Sequence, residues 1–253
     1  PETGRLERVE PAAGRPFRLE IDKPGVLDDL VLRAAARRPP GPGEVEIAVE
    51  AAGLNFIDVM KAMGIYPGVG DGPPMRGGEC AGRILRLGPG IEELAVGQEV
   101  LAMASGSFGT HAIVDVRLAA LRPATLTAAQ GAAVLTVFMT AWYGLVHLAR
   151  LRRGERVLIH SATGGTGHSA VQIARHLGAE IIATAGRPEK RAWLREQGLA
   201  HVMDSRSLSF TGEILEATGG EGVDVVLNTL SGAAIDASLS ALAADGRFIE
   251  LGK

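Results

Sequence analysis

The hydrophobic pattern changes period near the middle of the chain. Between Phe17 and Arg122 apolar positions come in short alternating runs broken by turn residues. Glu44-Val45-Glu46-Ile47-Ala48-Val49-Glu50 sets charged residues against apolar or small ones, the two-residue period of a half-buried strand. The segment Arg38-Pro39-Pro40-Gly41-Pro42-Gly43 is the loop that feeds it. Ile84 to Leu87, closed by Gly88-Pro89-Gly90, and Gly97 to Met103 read as two further strands. A small, mainly antiparallel β-domain over residues 1–122 follows.

From Pro123 onward strands alternate with helices. Arg156 to His160, Ile181 to Ala185, Val223 to Asn228 and Arg247 to Leu251 are four apolar strands. Helices are predicted from His168 to Leu177 and from Pro188 to Gln197. Strands separated by helices imply a doubly wound parallel sheet, so residues 123–253 read as an α/β domain. No internal repeat or low-complexity tail interrupts either half.

Gly131 to Ala149 carries no formal charge over 19 residues, long enough to raise the question of a membrane span. It contains Gly131, Thr136, Thr140, Tyr143, Gly144 and His147, and Arg150, Arg152 and Arg153 follow. A buried helical pair is the better reading.

Composition narrows the class. The 253 residues are 46% hydrophobic and 22% charged, with 34 glycines and few aromatics, a globular profile. A formal net charge of −3 offers no electrostatic footprint for nucleic acid or an anionic membrane. The single cysteine, Cys80, forms no internal disulfide, as expected in a reducing cytoplasm. The start at Pro1-Glu2-Thr3 suggests a domain of something longer.

The loop after the first parallel strand reads Ser161-Ala162-Thr163-Gly164-Gly165-Thr166-Gly167-His168-Ser169-Ala170. Gly165, Gly167 and Ala170 fit the G-x-G-x-x-A form of the dinucleotide fingerprint, between a predicted strand and helix. Gly165 permits a tight turn, Gly167 lets backbone approach a pyrophosphate, and Ala170 keeps the helix close to the sheet. Gly164 and Thr166 complete the cradle, and the helix N-terminus offers free N–H groups to the anion. An NAD site usually places an acid about 20 residues further on. Here the second strand ends without one, and Arg187, Lys190 and Arg191 follow, which suits the 2′-phosphate of NADPH.

Taken together, the two halves resemble the medium-chain dehydrogenase/reductase superfamily over nearly the whole chain. That resemblance implies a GroES-like β-domain joined to a Rossmann domain, with the C-terminal return segment beyond Lys253. Zinc alcohol dehydrogenases of the superfamily draw ligands from a Cys and from the His of a G-H-E stretch. Here those positions read Asn55, in Gly53-Leu54-Asn55-Phe56-Ile57-Asp58, and Gly78, in Gly77-Gly78-Glu79-Cys80-Ala81-Gly82. The four-cysteine structural lobe is missing, so a zinc-free site is expected.

Within the superfamily the chain resembles the enoyl reductase domains of polyketide synthases. Gly53 to Met60, Gly64-Ile65-Tyr66-Pro67-Gly68, Gly78 to Gly82, Gly222 to Gly232 and Gly246 to Lys253 carry that resemblance. Ile57 stands where Arg is common, and His168 where a hydrophobic residue is usual. The resemblance implies NADPH-dependent reduction of a 2-enoyl thioester on an acyl carrier protein, beside neighbouring synthase domains. Tyr66 and Lys253 are rival candidates for protonating the α-carbon, and either can donate if its site lowers its pKa. Asn55, Thr140, Asn228 and Ser231 are implied cofactor-lining positions, though each also suits loop capping. A free-standing quinone or enone reductase, or a non-catalytic NADPH-binding scaffold, would share much of this pattern.

Overall fold

A computed structural model describes residues 15–21, 23–67 and 77–252. The elements, in chain order, begin with the strands β1 (Phe17–Ile21), β2 (Leu30–Ala34) and β3 (Glu44–Ala52), then helix α1 (Phe56–Ala62). Next come β4 (Glu79–Leu87), β5 (Glu99–Met103), β6 (His111–Asp115), β7 (Ala119–Leu121) and the helices α2 (Ala128–Ala132) and α3 (Leu135–Trp142). A π-helical turn, Tyr143–Leu148, continues α3. There follow β8 (Arg156–Ile159), α4 (Gly165–Leu177), β9 (Glu180–Ala185), α5 (Pro188–Glu196) and β10 (His201–Asp204). The last are α6 (Phe210–Ala217), β11 (Val223–Asn228), α7 (Ala233–Leu239) and β12 (Leu242–Glu250).

The chain divides into two compact units at Thr136/Val137. The sequence placed the division at Arg122/Pro123. The residues between carry α2, whose Ala132 packs with Ala81 and Leu101 of the β-sheet.

The first unit holds the β1–β2 hairpin and an antiparallel sheet in the order β6-β3-β4-β5-β7. Its core is Val45, Ile47, Cys80, Ile84, Val100, Ala112 and Val114. The alternation in β3 predicts Glu46 on the solvent side, but it is only 1% exposed. Arg37 covers it with two hydrogen bonds, Nε to Oε1 at 2.8 Å and Nη2 to Oε2 at 2.9 Å, and Arg86 adds a third. Burial would raise this carboxyl, yet the two guanidinium groups outweigh it and hold the pKa at about 2.

The second unit carries a parallel sheet in the order β10-β9-β8-β11-β12. Both faces are buried, as a parallel sheet requires. Val157, Ile159, Ala183, Val225 and Leu227 point to one cluster with Leu145 and Val171. Leu158, Ile182 and Val226, the alternate residues, point to the other with Phe210 and Ile214. Four strands were expected and five are present. The missed one, β10, is a four-residue edge strand whose apolar content is Val202 and Met203 alone, too short for periodicity to register. Strand β12 also starts earlier than the expected Arg247, because Leu242 pairs with Val223 before an irregularity in register.

The uncharged run does not form a wholly buried pair. Ala141, Gly144, Leu145 and Ala149 are buried, while Met139, Trp142, Tyr143 and Leu148 are exposed. No helix among the described residues is long and apolar enough to cross a membrane.

Candidate nucleotide and catalytic site

In the second unit the glycine loop joins β8 to α4. The helix starts at Gly165, with Gly164 as its N-cap in extended conformation, three residues earlier than predicted. His168 donates the first helical bond to the Gly164 carbonyl at 2.8 Å, so the N–H groups of Gly165, Thr166 and Gly167 have no helical acceptor. Such N–H groups, with the positive end of the helix dipole, fit an anion.

The structure assigns Gly167 a second reason to lack a side chain. A Cβ there would stand 2.3 Å from the Ser161 carbonyl oxygen and 2.8 Å from Ala162 Cα. The glycine therefore lets α4 seat on the end of its own strand. Ser161 takes a positive φ of 50°, unusual for a non-glycine residue, to make that turn. Ala170 is fully buried, as its place in the fingerprint predicts.

The sheet order reverses between β8 and β11, and such a switch point is where open α/β sheets bind ligands. At that place Thr229 Oγ1 donates to Ser161 Oγ at 3.0 Å, tying the loops after β11 and β8. Asn228 is fully buried and its amide is engaged: Nδ2 donates to the Leu230 carbonyl at 2.8 Å and to Glu250 Oε2 at 2.7 Å. It shapes the rim of the site. Ser231 follows on the exposed loop before α7. Thr140 lies half-buried on α3, one turn past Val137, the residue that a Cβ on Gly165 would meet at 2.9 Å.

At the tip of β9 the chain turns through Gly186 into α5, with Arg187 as N-cap and Pro188 pre-setting the first turn. Arg187 and Lys190 are exposed and form no ion pair with another described residue. Arg191 is more committed. Its Nη1 lies 3.0 Å from the Ala185 carbonyl and 3.0 Å from Asp204 Oδ2, bracing the tips of β9 and β10. The sequence reading missed Arg206. Its side chain lies over Gly186, with Nε 2.8 Å from where a Cβ would be, adding a cation to the group. The signal was there only once β10 is recognised, since Arg206 follows that strand.

In the first unit Asn55 opens α1. Its backbone N–H donates to Asp58 Oδ2 at 2.9 Å, in a capping box. Its side-chain Nδ2 donates to Glu79 Oε1 at 2.6 Å. Glu79 Oε2 accepts the backbone N–H of Thr136 at 2.7 Å, and Glu79 itself is 1% exposed. Burial raises the Asp58 carboxyl above its ordinary value. Tyr66 follows the end of α1, half-buried, with Lys61 Nζ 5.5 Å from its ring centroid. Lys253, the rival proton donor, lies outside the described residues.

These features match known proteins. Residues 41–116 fit the family model "Alcohol dehydrogenase GroES-like domain" and residues 165–253 fit "Zinc-binding dehydrogenase". The solved CurK enoyl reductase is 40% identical, with a TM-score of 0.89, over 94% of this chain and 75% of that one. The chain belongs to the polyketide synthase enoyl reductases.

Other known proteins are similar as well. JamJ enoyl reductase is 38% identical with a TM-score of 0.89, covering 94% of this chain and 74% of that one. Mycobacterial Rv1454c, solved in complex with NADPH, is 32% identical with a TM-score of 0.84, covering 93% of this chain and 74% of that one. Phthioceranic/hydroxyphthioceranic acid synthase of Mycobacterium tuberculosis is 50% identical over 94% of this chain. The chain spans 11% of that synthase's length.

The Asn55 amide, at the position where the sequence expects the cysteine of zinc alcohol dehydrogenases to be replaced, is bound to Glu79. Burial, with the Glu79 carboxylate beside it, pushes the Cys80 thiol up to about 12, making it an inert core residue. A cavity of about 420 Å³ in the first unit is lined by Arg18, Arg37, Glu46, Phe108 and His111. None of the predicted site residues lines it.

Proposed function

We propose that this domain reduces the 2,3 double bond of an enoyl thioester, carried by an acyl carrier protein, with NADPH as reductant. The observation that carries the reading is a dinucleotide loop beside Arg187 and Lys190, cations with no ion pair among the described residues, at a strand tip without an acid, in a chain of this family. When bound, NADPH would supply the hydride that the β-carbon accepts. The π bond opens toward the thioester, and the α-carbon then takes a proton.

The N–H groups of Gly165, Thr166 and Gly167, with Gly164, hold the pyrophosphate. Arg187, Lys190 and Arg206 hold the 2′-phosphate, and Arg191 orders the strand tips beneath it. Asn55 of the first unit, and Thr140, Asn228 and Ser231 of the second, each offer a polar group to the cofactor. Tyr66 carries an O–H on a loop braced by Lys61 and serves as donor to the α-carbon, with Lys253 as the rival.

A second reading rests on the Pseudomonas syringae quinone oxidoreductase, 27% identical with a TM-score of 0.84. The deciding experiment mixes purified protein with a 2-enoyl pantetheine thioester and follows NADPH absorbance, with NADH and a simple quinone in parallel. NADPH-specific loss on the thioester supports the proposal. Turnover on the quinone alone favours the second reading, and tight NADPH binding without turnover favours a scaffold.

A further inference from the structure

Glu79 is buried, ionisable and used by no step described above. It sits at the first residue of β4, where it meets the start of α1 and the start of α3 within the first unit. The fold keeps space for it. A Cβ on Gly53 would stand 2.3 Å from Glu79 Oε1 and 2.5 Å from the Ala132 carbonyl oxygen, so a glycine is required two residues before Asn55.

A carboxylate only accepts hydrogen bonds. Both of its oxygens are taken: Oε2 by the Thr136 backbone N–H at 2.7 Å, and Oε1 by Asn55 Nδ2 at 2.6 Å. The Asn55 carboxamide therefore has one permitted orientation, nitrogen toward Glu79. The Asp58 N–H at the head of α1 donates to the Asn55 backbone carbonyl at 2.9 Å. Of the four hydrogen-bonding positions on the amide, Glu79 takes one Nδ2 proton, and the second Nδ2 proton is a donor whose direction that bond fixes.

We propose that Glu79 is a positioning residue that fixes the flip of the Asn55 amide, so that Asn55 offers an N–H to an acceptor oxygen of the bound cofactor or thioester. The inference deepens the proposed function and rests on Asn55 lining that site. A buried charge-assisted bond suits this task, because a neutral partner would tolerate either amide face.

The test uses Glu79→Gln, which keeps shape and removes the charge. With Gln Oε1 on the Thr136 N–H, the Gln amide nitrogen faces Asn55 and forces it to present Oδ1 instead. The double variant Glu79→Gln/Asn55→Asp restores a matched donor and acceptor but has no N–H to offer. Thermal stability, NADPH affinity by fluorescence, and kcat and KM for crotonyl pantetheine are measured for both.

Glu79→Gln is expected to lose about 10- to 100-fold, the worth of one such hydrogen bond. A weakened NADPH affinity identifies the cofactor as acceptor, and a fall in kcat at unchanged affinity identifies the thioester. The double variant is expected to recover stability without recovering that loss. If Glu79→Gln does not fold, the double variant alone carries the comparison with wild type. Wild-type affinity and turnover in Glu79→Gln, or recovery of both with stability in the double variant, overturns the inference. A wild-type protein that ignores the thioester would instead sink the proposed function, and NADPH affinity would still report on Glu79.

Discussion

His160 Nε2 lies 2.9 Å from Ser238 Oγ, and that hydroxyl donates its own proton to the Ala234 carbonyl at 2.6 Å. Ser238 can then only accept from the ring, so His160 carries its proton on Nε2. Its Nδ1 accepts from Thr184 Oγ1 at 2.9 Å. The neutral imidazole links β8, β9 and α7 inside the second unit, with its edge toward Phe210.

Burial lowers the His160 pKa from 6.5 to about 4. The unfolded state binds the proton more readily between those values, so stability falls as pH drops from 6.5 to 4 and is level above 6.5. The loss is on the order of 3 kcal/mol. Urea unfolding across this range measures it, and His160→Gln, which keeps a donor and an acceptor, should flatten the slope.

A second acid-sensitive step belongs to Glu46. Its folded pKa of about 2 is below the ordinary 4.5, so its contribution is present above 4.5 and is lost as pH falls toward 2. Glu46→Gln should remove this lower step and leave the His160 step in place. Removing a partner from buried Glu46, as in Arg37→Ala, should destabilise the first unit at neutral pH by roughly 1–3 kcal/mol. Denaturant midpoints at pH 7 check that value.

Gly167→Ala places a methyl against the Ser161 carbonyl. The expected cost is roughly 1–3 kcal/mol from overpacking, with NADPH affinity falling at the same time. Unchanged affinity in a folded Gly167→Ala protein would argue against the glycine loop as the cradle.

Arg187→Ala, Lys190→Ala and Arg206→Ala should each raise the KM for NADPH about 10- to 100-fold while leaving NADH untouched. Arg191→Ala should lower thermal stability as well, since Arg191 braces Asp204 and the Ala185 carbonyl. Parallel steady-state titrations with both nucleotides separate the two outcomes.

Tyr66→Phe keeps the ring beneath Lys61 and removes only the hydroxyl. Hydride transfer should persist, while stereocontrol at the α-carbon of a 2-methyl enoyl thioester should be lost. Chiral analysis of the product reads this directly. A product of wild-type configuration would leave Lys253 as the donor.

Much of the molecule was legible because its strongest signals are local. The strands flanking the glycine loop are continuous apolar runs, and Gly167 and Ala170 sit where helix and strand touch. Signals that depend on tertiary neighbours were not. Glu46 looks solvent-facing until Arg37 and Arg86 are seen to cover it. The short strand β10 hid Arg206, and the bond from the Asn228 amide to Glu250 joins residues 22 positions apart. Glu79 appears in the sequence as part of a motif, but its hold on Asn55 spans 24 positions and has no periodic trace.

The hydroxyl bond from Thr229 to Ser161 has a kinetic meaning. It joins loops from strands on either side of the switch point, and both hydroxyls come from the folded chain alone. The floor of the nucleotide site is thus completed when the sheet forms. The ordering entropy of these loops is spent during folding, and an arriving nucleotide meets a surface already set. Nucleotide capture by this unit should follow a single concentration-dependent phase without a slow isomerisation, so any pause in the catalytic cycle belongs to other events.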